Sequence, residues 1–236
     1  NYGYDRNMIA IVNANDGGTI RSLYSSRFSL QNGSDSYTSK GWIPSFYVNA
    51  NGGRFRSPSN GNMFGPAPGP GGLRPTHLTV YEKGMILDAT NTSQNIYASI
   101  EAAVGNGVKS IVLPEPVDVM GVSPFVEIVD VGGTGYGASA FAVVDETSGK
   151  IVRFDVTSAG CNYTDAKAVW WFTDGQYSHK VHTNDCVLAE NGPDGGLTVE
   201  GTTGTLYLYA TNTYTGPTVL RSGKLFIQAD DVIRPE

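Results

Sequence analysis

Charged residues are scarce in this chain, and no long apolar segment takes their place. Of the 236 residues, 16% are Asp, Glu, Lys or Arg, and the net charge is −6. The absence of any basic run argues against a nucleic-acid partner, because such binding depends on clustered Lys and Arg. No apolar run approaches the roughly 20 residues of a membrane-spanning helix. We therefore expect neither a nucleic-acid partner nor a membrane span in this chain.

Cysteine and histidine are also rare, which limits disulfide and metal chemistry. The two cysteines are Cys161 and Cys186. In a chain of extracellular composition, an even count predicts one disulfide, here closing a loop of about 25 residues. The alternative is two unpaired thiols. His179 and His182 are the only histidines close in sequence, and on a strand their odd spacing would direct the rings to opposite faces. We therefore expect no metal site and no cofactor.

Glycine and tyrosine are abundant instead, with 30 and 13 residues, and their placement is typical of an all-β protein. Within residues 195–225, Leu206 and Leu208 alternate with Thr205, Tyr207 and Tyr209. A period of two places the leucines on one face of a strand and the Thr and Tyr side chains on the other. Glycine, asparagine and proline then separate this strand from the next. The sequence predicts an all-β fold.

An internal echo near the N terminus indicates a repeat architecture. The segment VNANDGGTIRS at 12–22 recurs as VNANGGRFRS at 48–57. Shorter versions, each with a glycine turn before an apolar strand, occur at 82–87 and 221–227. Periods of about 20–50 residues mark solenoids, in which each strand stacks on its equivalent one coil away. Residues 94–104 fit either a strand or a single helical turn.

The segment 195–225 also resembles a known family, the autotransporter-associated β-strand repeat. The matching residues are Gly195-Gly196-Leu197-Thr198, Gly201, Gly204-Thr205-Leu206, Leu208, Asn212-Thr213-Tyr214-Thr215-Gly216, Thr218-Val219, Gly223 and Leu225. The chain departs from the repeat at Val199, which is usually Lys, and at Pro217. The resemblance implies a right-handed parallel β-helix, a solenoid, in the secreted passenger region of a bacterial surface protein. It implies an extracellular or cell-surface location and no particular activity.

Residues 107–187 resemble a small β insertion found within such repeat proteins. The shared features include the glycine-rich stretch at 132–137 and a hairpin turn predicted at 145–150. Cys161 replaces the usual Ser or Gly, which supports a Cys161–Cys186 bridge peculiar to this chain. The predicted organisation is therefore a solenoid over 1–106, the insertion over 107–187, and a closing solenoid repeat over 188–236.

The densest aromatic cluster consists of Trp170, Trp171 and Phe172, with Tyr177, and its candidate binding residues are Trp170, Trp171 and Tyr177. On a strand, one of two adjacent tryptophans points outward, and an exposed indole beside polar groups can bind a sugar ring. The alternative is that these rings pack against the solenoid or a neighbouring subunit. We keep the three residues as a candidate aromatic platform.

Candidate catalytic groups are dispersed, and we predict no catalytic residue. The sequence favours a non-enzymatic structural or adhesive protein of the cell surface, whose partner is a glycan or a host surface. One alternative is a subunit that associates end to end into an extracellular filament or surface layer, because a solenoid has two open strand edges. A second alternative is a carbohydrate-active β-helix, a polysaccharide lyase or glycosidase, because right-handed β-helices also carry such enzymes.

Overall fold

The chain folds as an all-β protein with two compact units. A computed structural model describes residues 10–21, 46–57, 77–90, 95–173, 181–201, 203–209 and 211–227. These residues form nineteen strands, and among them no helix is long and apolar enough to cross a membrane. The first unit comprises Asn1–Ala103 and Pro193–Glu236, and the second comprises Val104–Gly192.

The strands are short, as is usual where turns are closely spaced. In the first unit they are β1 (Ala10–Asn15), β2 (Thr19–Arg21), β3 (Phe46–Asn51), β4 (Gly53–Arg56), β5 (His77–Val80), β6 (Met85–Asp88), β7 (Asn95–Ala98) and β8 (Glu101–Ala102). The second unit contains β9 (Asn106–Ile111), β10 (Val117–Asp118), β11 (Phe125–Asp130), β12 (Ser139–Val144), β13 (Lys150–Ser158), β14 (Ala166–Trp171) and β15 (His182–Glu190). The first unit then resumes with β16 (Leu197–Glu200), β17 (Thr205–Leu208), β18 (Thr218–Leu220) and β19 (Lys224–Ile227).

Three parallel sheets form the first unit. Their strand orders are β1-β3-β5-β8, β18-β16-β6-β4-β2 and β19-β17-β7. Every pair within them is parallel. Parallel neighbours cannot be joined by a tight hairpin, so the chain leaves one sheet and visits another before it returns. The two parts of this unit meet where β16 and β17, after the second unit, pair with β6 and β7 before it.

The internal echo coincides with paired strands. In β1 and β3 the two VNAN copies align residue for residue, from Val12 beside Val48 to Asn15 beside Asn51. The strands that follow each glycine turn also align, with Thr19 beside Arg54. The predicted stacking of each copy on its equivalent is therefore confirmed. The sequence left residues 94–104 open, and the described part of this range, 95–104, contains the strands β7 and β8 rather than a helical turn.

Rows of equivalent apolar residues make the core of this unit. Phe55, Leu87 and Val199 occupy the same position in adjacent strands, and all three are buried. Ile96 and Leu206 form a second buried row between β7 and β17. Because each row repeats one kind of side chain, burial accumulates from strand to strand.

The glycine pair of the repeat is required where two turns approach closely. Gly196 has φ of 74°, and a Cβ atom there would lie 2.2 Å from the carbonyl oxygen of Pro217. A Cβ atom on Gly195 would lie 2.4 Å from the carbonyl oxygen of Glu82. A side chain at either position would therefore push apart the neighbouring turns, which explains glycine at both.

A network of ion pairs connects the charged row at the end of the five-stranded sheet. Arg54 contacts both Asp88 and Glu200, and Arg56 donates to Asp88 at 2.8 Å. Arg221 donates to Glu200 at 2.8 Å. Burial opposes ionisation of Asp88, but hydrogen bonds from the following turn and from both arginines outweigh it and lower its pKa from 3.8 to about 2. Asp88 therefore stays ionised although its side chain is buried.

The second unit is built from two antiparallel sheets. Their strand orders are β10-β13-β12 and β11-β14-β15-β9. The residues Asp145–Lys150 turn the chain from β12 into β13, as predicted, and Asp145 N–H donates to the carbonyl of Lys150 at 2.9 Å. A separate core fills this unit, with Ile151, Phe154 and Trp170 among its buried side chains.

We expect Asp88→Asn to lower the free energy of unfolding by about 2 kcal/mol at neutral pH, because it weakens charge-assisted hydrogen bonds to two arginines. The folded pKa lies below the unfolded value. The contribution of ionised Asp88 to the free energy of unfolding is therefore complete above pH 3.8 and is lost as the pH falls through about 2. Urea denaturation at stepwise lower pH measures the difference from wild type.

The matched control is Glu82→Gln, at an exposed position on the preceding turn. It should leave the free energy of unfolding nearly unchanged. A wild-type advantage over Asp88→Asn that stays constant into strong acid would contradict the assignment.

Candidate functional site

The two adjacent tryptophans of the predicted aromatic platform lie on opposite faces of β14. Trp170 is only 1% exposed, whereas Trp171 is partly exposed. This is what strand alternation requires. Tyr177 lies outside the described residues. The outward-facing indole is therefore that of Trp171.

Trp170 belongs to the core of the second unit. Its ring stacks on His182 with the centroids 4.1 Å apart and the planes 8° from parallel, and Phe154 packs against it at 6.1 Å. The indole Nε1–H donates to Oδ1 of Asn184 at 2.8 Å. Asn184 donates in turn to the carbonyl of Val112 at 2.6 Å. With its polar atom satisfied and its ring covered, Trp170 is not available as a surface platform.

Trp171 has a different aromatic neighbour. Phe125 on β11 is its cross-strand partner, and the ring centroids are 5.9 Å apart with the planes 23° from parallel. Phe125 is 61% exposed and lies on the edge strand of its sheet. A single exposed apolar side chain is common, so the feature that matters is the pair of rings on one face.

The same face of the sheet continues away from the aromatic pair in two polar rows. The first row consists of Glu127, Val169 and Thr183 on β11, β14 and β15. The second row consists of Val129, Lys167 and Asp185. We call this surface, which comprises Phe125, Glu127, Val129, Lys167, Val169, Trp171, Thr183 and Asp185, the aromatic face.

The cation of the aromatic face is already neutralised. Lys167 Nζ lies 2.9 Å from Asp165 and 3.0 Å from Asp185. Hydrogen bonds to these carboxylates, first Asp165 and then Asp185, raise the pKa of Lys167 above its usual range. Two carboxylates and one ammonium leave this end of the face with excess negative charge, to which Glu127 adds.

Asp130 fixes the loop that follows β11. Its carboxylate accepts backbone N–H groups from Thr134, Gly135, Thr164 and Asp165, at 2.8–3.1 Å. Burial opposes ionisation, but these four donors outweigh it and hold the pKa of Asp130 well below its usual range. A carboxylate with this many donors is a structural anchor, and its oxygens are not free for acid–base work.

A second polar cluster lies in the first unit. Glu101 Oε1 accepts from Thr79 Oγ1 at 2.8 Å and lies 2.8 Å from His77 Nδ1. The ring of Tyr47 stacks on His77 with centroids 5.4 Å apart. Each of these contacts joins one strand of the β1-β3-β5-β8 sheet to the next. The cluster is therefore a cross-strand ladder that holds adjacent strands in register.

The predicted disulfide is wrong, because the two cysteines are not joined. Cys161 is buried and is held in a bridge to Tyr136 by two backbone hydrogen bonds, at 2.9 and 3.0 Å. Cys186 lies in β15, where it pairs with Ile111 of β9. Different backbone partners fix the two residues, Tyr136 for Cys161 and Ile111 for Cys186. Burial raises the pKa of Cys186 to about 11, which disfavours the reactive thiolate.

The described residues contain no group of three or more His, Cys, Asp and Glu side chains suited to a metal ion. His179, the other half of the histidine pair, lies outside the described residues, and His182 is stacked on Trp170. Neither histidine therefore contributes to a site that the structure describes.

Comparison with known proteins gives no relative: no family model, no curated protein and no solved structure matches this chain.

Of the two aromatic residues of the aromatic face, Phe125 is the one that sequence reasoning missed. Its signal was present, because Phe125, Glu127 and Val129 alternate with Val126 and Ile128. What the sequence did not reveal was that β11 pairs with β14, from which it is separated by two other strands.

We expect both thiols to be reduced in the purified protein. The intact mass under denaturing, non-reducing conditions should show no loss of two hydrogens, and two thiols should titrate after unfolding. In the native state alkylation at mildly alkaline pH should be slow, since Cys161 is buried and the pKa of Cys186 is raised to about 11. A mass lower by two hydrogens that reduction reverses would contradict the structure.

Proposed function

We propose that this chain is part of an extracellular or cell-surface structural protein of the autotransporter-repeat type, adhesive and non-enzymatic. Its first unit is, in this proposal, a right-handed parallel β-helix. The observation that supports this most directly is the pairing of the repeat-like segment with earlier strands. Leu197, Thr198 and Val199 align with Met85, Ile86 and Leu87, and again with Thr218, Val219 and Leu220.

The residues of the repeat-like segment have the positions that stacked rungs require. Leu206 and Leu208 are buried, whereas Tyr207 lies on the other face between Tyr97 and Phe226, with centroids 5.0 Å apart on each side. Stacked equivalents of this kind are the unit of solenoid stability. A solenoid carries no chemistry by itself, so it suits a protein whose task is to extend and to present a surface.

Adhesion is the task that the remaining features favour. Low charge and few ionisable clusters leave little for acid–base catalysis, and the carboxylates with many donors serve turns and ion pairs. The second unit adds an aromatic pair on a sheet face, the exposed Phe125 and the partly exposed Trp171, which is a surface suited to contact rather than turnover.

A filament subunit is the second candidate, favoured by the exposed last strands of the first unit. β18 and β19 each lie at the edge of a parallel sheet. Four apolar side chains on these strands are 41–51% exposed: Val219, Leu220, Phe226 and Ile227. Regular head-to-tail stacking would bring two like charges together. β2 is the opposite edge of the five-stranded sheet and ends in Arg21, whose position is equivalent to that of Arg221 just after β18. The two arginines of adjacent copies would therefore lie side by side. We therefore rank the filament below the adhesive scaffold.

Removing one rung tests the solenoid. Leu197 and Thr218 are equivalent, so deletion of residues 197–217 should let β18 and β19 take the places of β16 and β17. We expect a β-type circular dichroism spectrum and cooperative unfolding at reduced stability. The control deletion of residues 197–206 shifts the register and should abolish cooperative unfolding. Equal damage from the two deletions would remove the solenoid from the proposal.

Adhesion and assembly are measured on the full chain. We expect beads coated with it to attach to cultured epithelial monolayers more than beads coated with serum albumin, and sedimentation velocity to show a monomer. Fibres in negative stain together with sedimenting polymers would favour the filament instead. A monomer that does not attach to the monolayers would contradict both the adhesive and the filament proposals.

A further inference from the structure

We infer that the aromatic face of the second unit binds a neutral polysaccharide, whose sugar rings stack on Phe125 and Trp171. This inference rests on the adhesive function proposed above and names its ligand class and its site. It replaces the platform expected from the sequence, because Trp170 is in the core and the outward indole has Phe125 as its companion.

The aromatic pair faces solvent although folding does not require it to. On β11, Val126 and Ile128 pack into the core, while Phe125 and Val129 alternate outward. Trp170 already supplies the aromatic packing on β14. A large ring left in water forgoes part of the stabilisation that its burial would give. An exposed pair on one sheet face is therefore what a binding surface would retain.

Polar groups lie beside the rings at a spacing that suits a sugar chain. Glu127 follows Phe125 by two residues on the same face, about 7 Å along the strand, and Thr183 stands in the same row across the sheet. A pyranose presents axial C–H bonds to an aromatic ring and hydroxyl groups around its rim. The rings would take the apolar side, and the carboxylate of Glu127 and the hydroxyl of Thr183 would take the rim.

Charge decides which polysaccharide fits. Lys167 is held between Asp165 and Asp185, so the face offers no unpaired cation to an anionic chain. The carboxylates leave it negative, and uronate or sulfated polymers would be repelled. A protein partner fits less well, because the centres of protein interfaces are depleted of acidic residues. Here Glu127 lies next to the aromatic pair.

The test uses the full chain with cellohexaose, mannohexaose and xylohexaose as neutral probes and oligogalacturonate as the anionic probe. We expect at least one neutral probe to bind by titration calorimetry and to change Trp fluorescence, and oligogalacturonate not to bind. Phe125→Ala and Trp171→Ala should each weaken binding about tenfold. The control is Phe141→Ala, which removes another exposed ring, 49% exposed against 61% for Phe125, from β12 and should leave binding unchanged.

Circular dichroism and thermal unfolding establish that each variant is folded. Trp171→Phe keeps an aromatic ring and should retain most of the affinity, which a purely structural role would not predict. The inference is overturned if no neutral probe binds, if oligogalacturonate binds as well as the neutral probes, or if Phe141→Ala weakens binding as much as Trp171→Ala. Attachment of coated beads that survives both Phe125→Ala and Trp171→Ala would overturn this site and leave the adhesive function standing.

Discussion

In-register pairing of parallel strands is the constraint on which the first unit depends. Residues of its paired strands have equivalents in the neighbouring strand, and the two lie side by side, as Val12 and Val48 do. A buried row therefore needs apolar residues in the strands that it crosses, and a turn that lies close to its neighbour, as at Gly196, needs glycine. A single misfit, such as a side chain at Gly196, would disturb two neighbouring turns at once.

The same pairing sets the cost of polar residues near the core. Asp88 is buried, and it is tolerated because Arg54 and Arg56 come from the neighbouring strand. Glu200, 146 residues away from Arg54 in sequence, completes the network on the other side. Charges that are paired across strands oppose slippage of the register, because a shift of one residue would leave a buried carboxylate without its partners.

Local patterns revealed more of this protein than distant ones. The VNAN echo predicted the pairing of β1 with β3, and the Asp145–Lys150 turn predicted a hairpin, because both depend on residues close in sequence or identical in kind. Alternation placed one tryptophan inward. It did not say which, because that depends on the sheet that β14 joins. The disulfide prediction was wrong for the same reason. Backbone pairing fixes where Cys161 and Cys186 lie, and a count of cysteines carries no information about that pairing.

The two units bury their apolar side chains in different ways, and this difference bears on where the proposed binding surface lies. In the first unit equivalent buried rows repeat from strand to strand, and neighbouring turns approach each other closely. Antiparallel strands in the second unit bring unlike segments together, as β11 meets β14. Such pairing can set Phe125 beside Trp171 and a neutralised Lys167 beyond them on one face. A specific surface therefore arises more readily in the second unit, while the first supplies regular structure.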